Sequence, residues 1–259
     1  MSPEVVIHFE GVSKNFAAKG GITEAVRDVN LPIARNEFVC VVGPSGCGKT
    51  TLLQLCAGLV RPTAGRVVYK GREITGINTD AGYITQESNL YPWRSLVENV
   101  EFSLEMRGMA KAERRREAQQ FIDLMGLAGF EEHYPYQLSG GMQKRASIAR
   151  TMVYDPDVVL MDEPFGALDA QTRMILQAEL LKVWSLKTKT ILFITHDIVE
   201  AIALADRVVL MTRRPGTIKD VFRVDLPRPR NVFEIHGQPG FAELYRRIWE
   251  HFKVEIKVE

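Results

Sequence analysis

Apolar positions along this chain follow two rhythms. Phe38–Val42, Gly82–Thr85, Val158–Met161, Thr190–Thr195 and Arg207–Met211 are short and apolar at successive positions, as strands buried on both faces are. Amphipathic stretches lie between them, so the pattern predicts a largely parallel sheet covered by helices. Val5–Phe9, Arg66–Tyr69 and Thr217–Val224 read instead as antiparallel edge or hairpin strands. Between Leu96 and Tyr136 the rhythm turns helical, with Ala118, Phe121, Ile122 and Met125 at i, i+3, i+4 and i+7. The charged run from Lys111 to Glu117 precedes that face and reads as a solvated helix surface rather than an RNA contact. After Arg213 a turn region bearing Pro215, Pro227 and Pro229 leads to a last helix. Its stripe of Phe241, Leu244, Tyr245, Ile248, Trp249 and Phe252 reads as packing. The expected organisation is one domain over residues 1–259, with its core at 1–89 and 138–212, a helical insertion at 90–137 and an extension at 213–259.

Composition narrows the function more than the fold. A length of 259 residues suits one α/β domain with a smaller attached lobe. Lys and Arg number 33 against 32 Asp and Glu, a formal charge of +1, so no bulk field draws nucleic acid or anionic lipid. Cys40, Cys47 and Cys56 cluster near the first core strand without a C-x-x-C pair, the usage of a reducing compartment. Met1-Ser2-Pro3-Glu4 has no basic or apolar leader character. No apolar run approaches the roughly 18 residues of a membrane span. Any service to a membrane therefore runs through a partner.

The chemistry begins at Gly43-Pro44-Ser45-Gly46-Cys47-Gly48-Lys49-Thr50-Thr51, which fits G-x-x-x-x-G-K-[ST] between a strand and the apolar helix Leu52–Leu59. Glycines let successive backbone N–H groups approach phosphate, and the helix that starts there turns its positive end to the same anion. Lys49 supplies a mobile charge for the β- and γ-phosphates, and the Thr50 hydroxyl is a magnesium ligand. Val158–Met161 runs into Asp162 and Glu163. Alone, two acids at a strand end would read as a cap or turn. Beside a phosphate loop they read as a magnesium partner and a water-polarising base. His196 and Gln86 close two other core strands, at the edge where open α/β sheets hold ligands, and either reaches a γ-phosphate or its metal.

A second helix start narrows the class. In Leu138-Ser139-Gly140-Gly141-Met142-Gln143, Ser139 reads as the N-cap of a helix with Met142, Ala146, Ala149 and Val153 on one face, leaving free N–H groups for another anion. Two phosphate-ready helix starts suggest two surfaces meeting around one nucleotide.

With these residues in order, the whole chain resembles the ATPase subunits of ABC transporters. The resemblance implies a P-loop NTPase fold: a RecA-like α/β core, an N-terminal antiparallel β region and an inserted helical subdomain. It implies ATP and Mg²⁺, with Phe16 stacking on adenine where many members carry Tyr, residues Gly43 to Thr51 on the phosphates, and Thr50, Gln86 and Asp162 on magnesium. Glu163 then activates water, His196 contacts the γ-phosphate, and Ser139, Gly140, Gly141, Gln143 and Asp169 serve the ATP of a second copy of the chain. Lys144 stands where the family often has Gln or Arg, and Thr85 where Phe is frequent. The implied partners are integral-membrane permease subunits and a solute-binding protein, with the ATPase peripheral on the cytoplasmic side of the membrane. Gln86–Ser95, which includes Trp93, and the stretch from Arg214-Pro-Gly-Thr to Arg230 resemble the importer branch for nitrate, aliphatic sulfonates and taurine. Leu90, Tyr91, Trp93 and Arg94 are expected to face the permease. The rival is a soluble ABC ATPase clamp in DNA repair or translation, but the chain has no heptad arm, metal-spaced Cys/His insertion or second cassette.

Overall fold

The computed structural model describes residues 4–18, 21–186 and 188–256, so Met1 to Pro3, read above for a leader, lie outside the described residues. In chain order, β1 (Val5–Ala18) and β2 (Gly21–Ala34) are followed by β3 (Phe38–Val42) and α1 (Lys49–Cys56). Next come β4 (Ala64–Tyr69), β5 (Arg72–Glu73) and β6 (Ala81–Ile84). Three helices follow: α2 (Leu96–Met106), α3 (Lys111–Leu124) and α4 (Gly140–Met152). The chain then alternates through β7 (Val158–Asp162), α5 (Ala170–Leu186), β8 (Thr190–Thr195), α6 (Ile198–Leu204) and β9 (Arg207–Met211). It finishes with β10 (Ile218–Arg223) and α7 (Phe241–Ile256).

The five doubly apolar runs become the parallel part of a six-stranded sheet ordered β10-β9-β3-β8-β7-β6, with β10 antiparallel at its edge. Because strand side chains alternate between faces, each run divides its residues between two cores. Phe38, Cys40, Val42, Val159, Met161, Ile191 and Phe193 enter a core shared with the helices from α2 onward. Val39, Val41, Val158, Leu160, Leu192 and Ile194 enter another, shared with Leu52, Leu53 and Leu55 of α1 and with Ile7, Phe9 and Val29 of a second sheet. That second sheet is antiparallel, ordered β2-β1-β4-β5. Helix α1, which opens from the phosphate loop, is thus sandwiched between two sheets.

Two strand readings need correction. The strand expected at Val5–Phe9 runs on to Ala18 across several register shifts. Its partner β2 was not anticipated, because Pro32 interrupts its pattern and Asp28 takes a positive φ of 43°. Proline is tolerated there because β2 is an edge strand. The Lys111–Glu117 run forms the first half of α3 with none of its residues buried, the helix surface expected of it. Arg114 and Arg115 lie 3.6 and 3.9 Å from the buried Glu101 carboxylate on α2, and Arg115 also meets Glu132 at 3.0 Å.

Candidate nucleotide site

The phosphate loop leaves β3 in the middle of the large sheet. Gly48 holds φ at 105°, and a Cβ there would come within 2.5 Å of the Val26 side chain and 2.8 Å of the Ala25 carbonyl. The loop is therefore pressed against β2, and only glycine fits. Lys49, the first residue of α1, is 5% exposed. Its Nζ donates to the carbonyls of Gly43 (2.8 Å) and Pro44 (3.0 Å) and lies 3.9 Å from Glu163 Oε1. The neighbouring Thr50 hydroxyl donates to Asp162 Oδ1 at 3.0 Å.

Asp162 ends β7 opposite Ile194 of β8, and the Glu163 amide continues the ladder by donating to the Ile194 carbonyl (3.0 Å). Glu163 takes φ of 41°, a left-handed conformation sparsely used by residues with a Cβ. Its Oε2 lies 3.0 Å from His196 Nδ1. Burial raises the Asp162 carboxyl above its ordinary range, opposed by hydrogen bonds from Thr50 and Tyr83. Burial, with Asp162 second, raises the Tyr83 phenol well above its usual value. Gln86 is exposed, and its amide nitrogen lies 3.7 Å from where a Cβ on Gly166 would stand, beside the Glu163 carboxylate at the same distance. Lys49, Thr50, Asp162, Glu163 and His196 thus meet at one sheet edge, with Gln86 on its rim.

A cavity of about 290 Å³ opens over the loop. Phe16, 36% exposed, lines it with Thr23 and Ala25 of β2, Ser45, Gly46 and Thr51 of the loop and helix start, and Glu163. Lys14 Nζ sits 5.0 Å above the Phe16 ring. Pro44, Cys47 and Gly43 do not reach the lining; Cys47 is buried, and burial raises its thiol.

Ser139, Gly140, Gly141 and Asp169 form a separate group outside that lining. Ser139 Oγ caps α4 by accepting from Met142 N (3.3 Å), and Asp169 caps α5 by accepting from Thr172 N (3.0 Å). A Cβ on Gly141 would meet Thr172 Cγ2 at 2.9 Å, so the two helix starts abut. Gln143 faces its own chain: its amide donates to the carbonyls of Pro135 (2.9 Å) and Leu138 (3.1 Å), which leaves its nitrogen committed rather than free for a second copy's nucleotide.

A family model described as ABC transporter matches residues 26–166, more than half of the chain and both the phosphate loop and the acidic pair. The chain belongs to the ABC transporter family. An uncharacterised ABC transporter ATP-binding protein of Methanocaldococcus jannaschii is 49% identical over 98% of this chain and 93% of its own length. The nitrate import ATP-binding protein of a Synechocystis species is 43% identical over 91% of each chain. Relatives named for aliphatic sulfonate import in Bacillus cereus and taurine import in Roseobacter denitrificans are 39% and 41% identical, over 96% and 89% of this chain. Among solved structures, a dimeric ATP-binding cassette in a post-hydrolysis state with ADP and Pi superposes with a TM-score of 0.75 at 32% identity, covering 84% of this chain and 98% of that one. The fold is therefore that of a P-loop NTPase, and this ABC protein is an ATPase.

Sequence reasoning passed over three residues of the ABC site. Tyr83 gave a signal, an aromatic hydroxyl one strand away from the acidic pair. Lys144 was noted only as a departure from the family, yet it is 2% exposed and its ammonium donates to the carbonyls of Thr85 (2.6 Å) and Gln86 (3.0 Å). Arg214 lines the cavity, although it lies far along the chain from the loop it touches. Of the residues expected at a permease surface, Trp93 is 70% exposed, whereas Leu90 packs on the core, Tyr91 packs on Phe102 and Arg94 pairs with Glu105 at 2.7 Å. No helix among the described residues is long and apolar enough to cross a membrane.

Proposed function

We propose that this ABC ATPase powers import of a small oxyanion, and that Gly43 to Thr51 form its ATP site. The observation that carries the ATP site is the pairing of Thr50 with Asp162 and of Lys49 and His196 with the adjacent Glu163. Lys49 exchanges its carbonyl contacts for the β- and γ-phosphates. The hydroxyl of Thr50 and the carboxylate of Asp162, with the Gln86 amide oxygen at the rim, fit the hard, oxygen-rich preference of Mg²⁺, which takes few protein ligands. When bound, that ion neutralises charge on the phosphates. Glu163 orients a water for in-line attack, steadied by His196, which contacts the γ-phosphate. Phe16 offers its ring to adenine. Catalysis here is mostly placement and charge.

Hydrolysis drives a partner. Ser139, Gly140, Gly141, Gln143 and Asp169 serve the nucleotide of a second copy in a head-to-tail pair, and Gln143 turns from its own loop to do so. The exposed Trp93 meets an integral-membrane permease, and a solute-binding protein delivers the cargo. The ATPase sits peripherally on the cytoplasmic face. Relatives named for nitrate, aliphatic sulfonates and taurine support an oxyanion as that cargo.

Glu163→Gln keeps the shape and removes the base, so hydrolysis is expected to fall by at least about a hundredfold, the usual contribution of a positioned base. ATP binding is expected to persist. A variant with parental turnover overturns the assignment. Binding assays on the solute-binding protein of the same system test the cargo: affinity for one of these oxyanions is expected, and binding of sugars alone overturns the branch.

A further inference from the structure

The turn between β9 and β10 is built against the nucleotide cavity, and nothing in the proposed mechanism uses it. Thr212 N donates to the Thr217 carbonyl (3.0 Å), and Thr217 N donates back to the Thr212 hydroxyl (3.0 Å), closing a tight hairpin. Its tip is stitched to β2: Gly216 N donates to the Ala25 carbonyl and Arg27 N donates to the Gly216 carbonyl, each at 2.9 Å. On its other side Gly216 presses on the phosphate loop so closely that a Cβ would stand 2.0 Å from the Cys47 carbonyl. The hairpin is therefore wedged between two walls of the cavity, and any side chain it presents there has a fixed base.

That side chain is Arg214. Its Nε and Nη2 donate to the Gly46 carbonyl at 3.1 and 2.9 Å, which uses two of the five guanidinium N–H groups. Among the described residues no carboxylate pairs with it. Among the described residues, Lys49 and Arg214 are the cations lining the cavity, and they differ in place. Lys49 is beside Glu163, the hydrolytic end, whereas Arg214 hangs on Gly46, three residues earlier in the loop. An unpaired guanidinium over an anion site, with donors to spare, has phosphate as its natural partner.

We propose that Arg214 is a nucleotide-binding residue, contacting the sugar and α-phosphate portion that ATP and ADP share. This rests on the reading of Gly43 to Thr51 as the ATP site. Because the contact lies away from the bond that breaks, it adds to affinity without changing turnover, the signature of uniform binding.

Equilibrium binding of ATP–Mg²⁺ and of ADP to the parent, Arg214→Gln, Arg214→Lys and Lys49→Ala proteins tests this, alongside steady-state ATPase kinetics for the first three. Gln retains a donor for the Gly46 carbonyl but no charge. It is expected to raise Kd for both nucleotides about tenfold, the scale of one charge-assisted hydrogen bond. KM is expected to rise in step while kcat stays within about threefold. Lys, with charge but no fork, is expected to fall between. Kd values within twofold of the parent for both substitutions overturn the proposal, as does a lowered kcat with unchanged Kd, which would leave Arg214 only a brace for the loop. If Arg214→Gln fails to fold, parental Kd values in Arg214→Lys, which loses the fork, overturn it alone. Lys49→Ala separates the two levels: parental affinity in that variant removes the ATP-site reading itself, whereas loss there with parental affinity in both Arg214 variants removes only this inference.

Discussion

Lys144 illustrates how much one buried charge can say. Burial pushes its ammonium down from the ordinary 10.5 to about 8, with the Asp162 carboxylate pulling weakly the other way. The sign of the consequence follows. Below pH 8 the lysine is protonated folded and unfolded, so its full burial cost is present. Between pH 8 and 10.5 the unfolded chain holds more protons than the folded one, and stability contributed by this group rises with pH. Replacing it by Met removes the titration but strands the Thr85 and Gln86 carbonyls, at about 1–3 kcal/mol each. The gap in unfolding free energy between parent and Lys144→Met is therefore expected to shift toward the parent from pH 7.5 to 9.5, by at most about 1.4 kcal/mol per unit. Urea titrations of both proteins measure it; a gap that ignores pH contradicts a lowered folded-state value. At this scale the sequence was most legible where chemistry fixes residue type within a few positions, as in Lys49-Thr50 and Asp162-Glu163. It was mute where partners come from afar: nothing near Arg214 in sequence announces Gly46, and nothing near Lys144 announces Thr85.

Elements were legible according to their surroundings. Strands β3, β7, β8 and β9 carry unbroken apolar runs, with polar residues only at their ends, because two cores claim alternate side chains, and such runs announce themselves. Strand β2 did not: Val29, Leu31 and Ile33 alternate inward, but Pro32 among them argues against a strand, and the bulge at Asp28 puts them out of step with Val26. Helix α7 presents its stripe as expected, with Phe241, Leu244, Ile248 and Phe252 buried, but Trp249 stays 38% exposed at the stripe's margin. The segment before α2 shows the opposite case of an aromatic left outside. A Ser95–Glu98 capping box fixes the helix start, and Asn99 ties back the preceding turn by accepting from Tyr91 N at 2.7 Å and donating to the Tyr91 and Arg94 carbonyls. Trp93 projects from that braced turn, its ring tilted 42° to that of Tyr91 with centroids 5.6 Å apart. A rigid mount carrying an exposed indole suits a surface that transmits force. Trp93→Ala is expected to uncouple transport in reconstituted membranes while basal ATPase and melting temperature stay near parental values. A melting temperature that drops together with both activities points to a packing role instead.

At the scale of the molecule, the two helix starts that opened the sequence argument end up in different groups of one chain, one over the cavity and one beside Asp169 and Thr172. In the proposed head-to-tail pair the Ser139 helix of each chain meets the phosphates held by the other, and a twofold axis closes both sites at once. Light scattering with ATP–Mg²⁺ is expected to find dimers that persist in Glu163→Gln, where the bridging γ-phosphate is not cleaved. Adding Ser139→Arg is expected to abolish them through bulk and like charge beside Lys49. Monomers of Glu163→Gln at saturating ATP count against closure of the isolated pair. The position of β3 has another consequence, for how the protein is made. Its neighbours in the sheet are β8 and β9, so ~170 residues must follow Val42 before Met211 completes its flanks. At ribosomal speeds of about 5–20 residues per second, that is on the order of ten to thirty seconds. Until Thr190–Thr195 is made, the nascent chain carries the phosphate-loop motif on a strand with neither neighbour, and the second flank follows only with Arg207–Met211, so the site is expected to hold nucleotide only as synthesis nears its end.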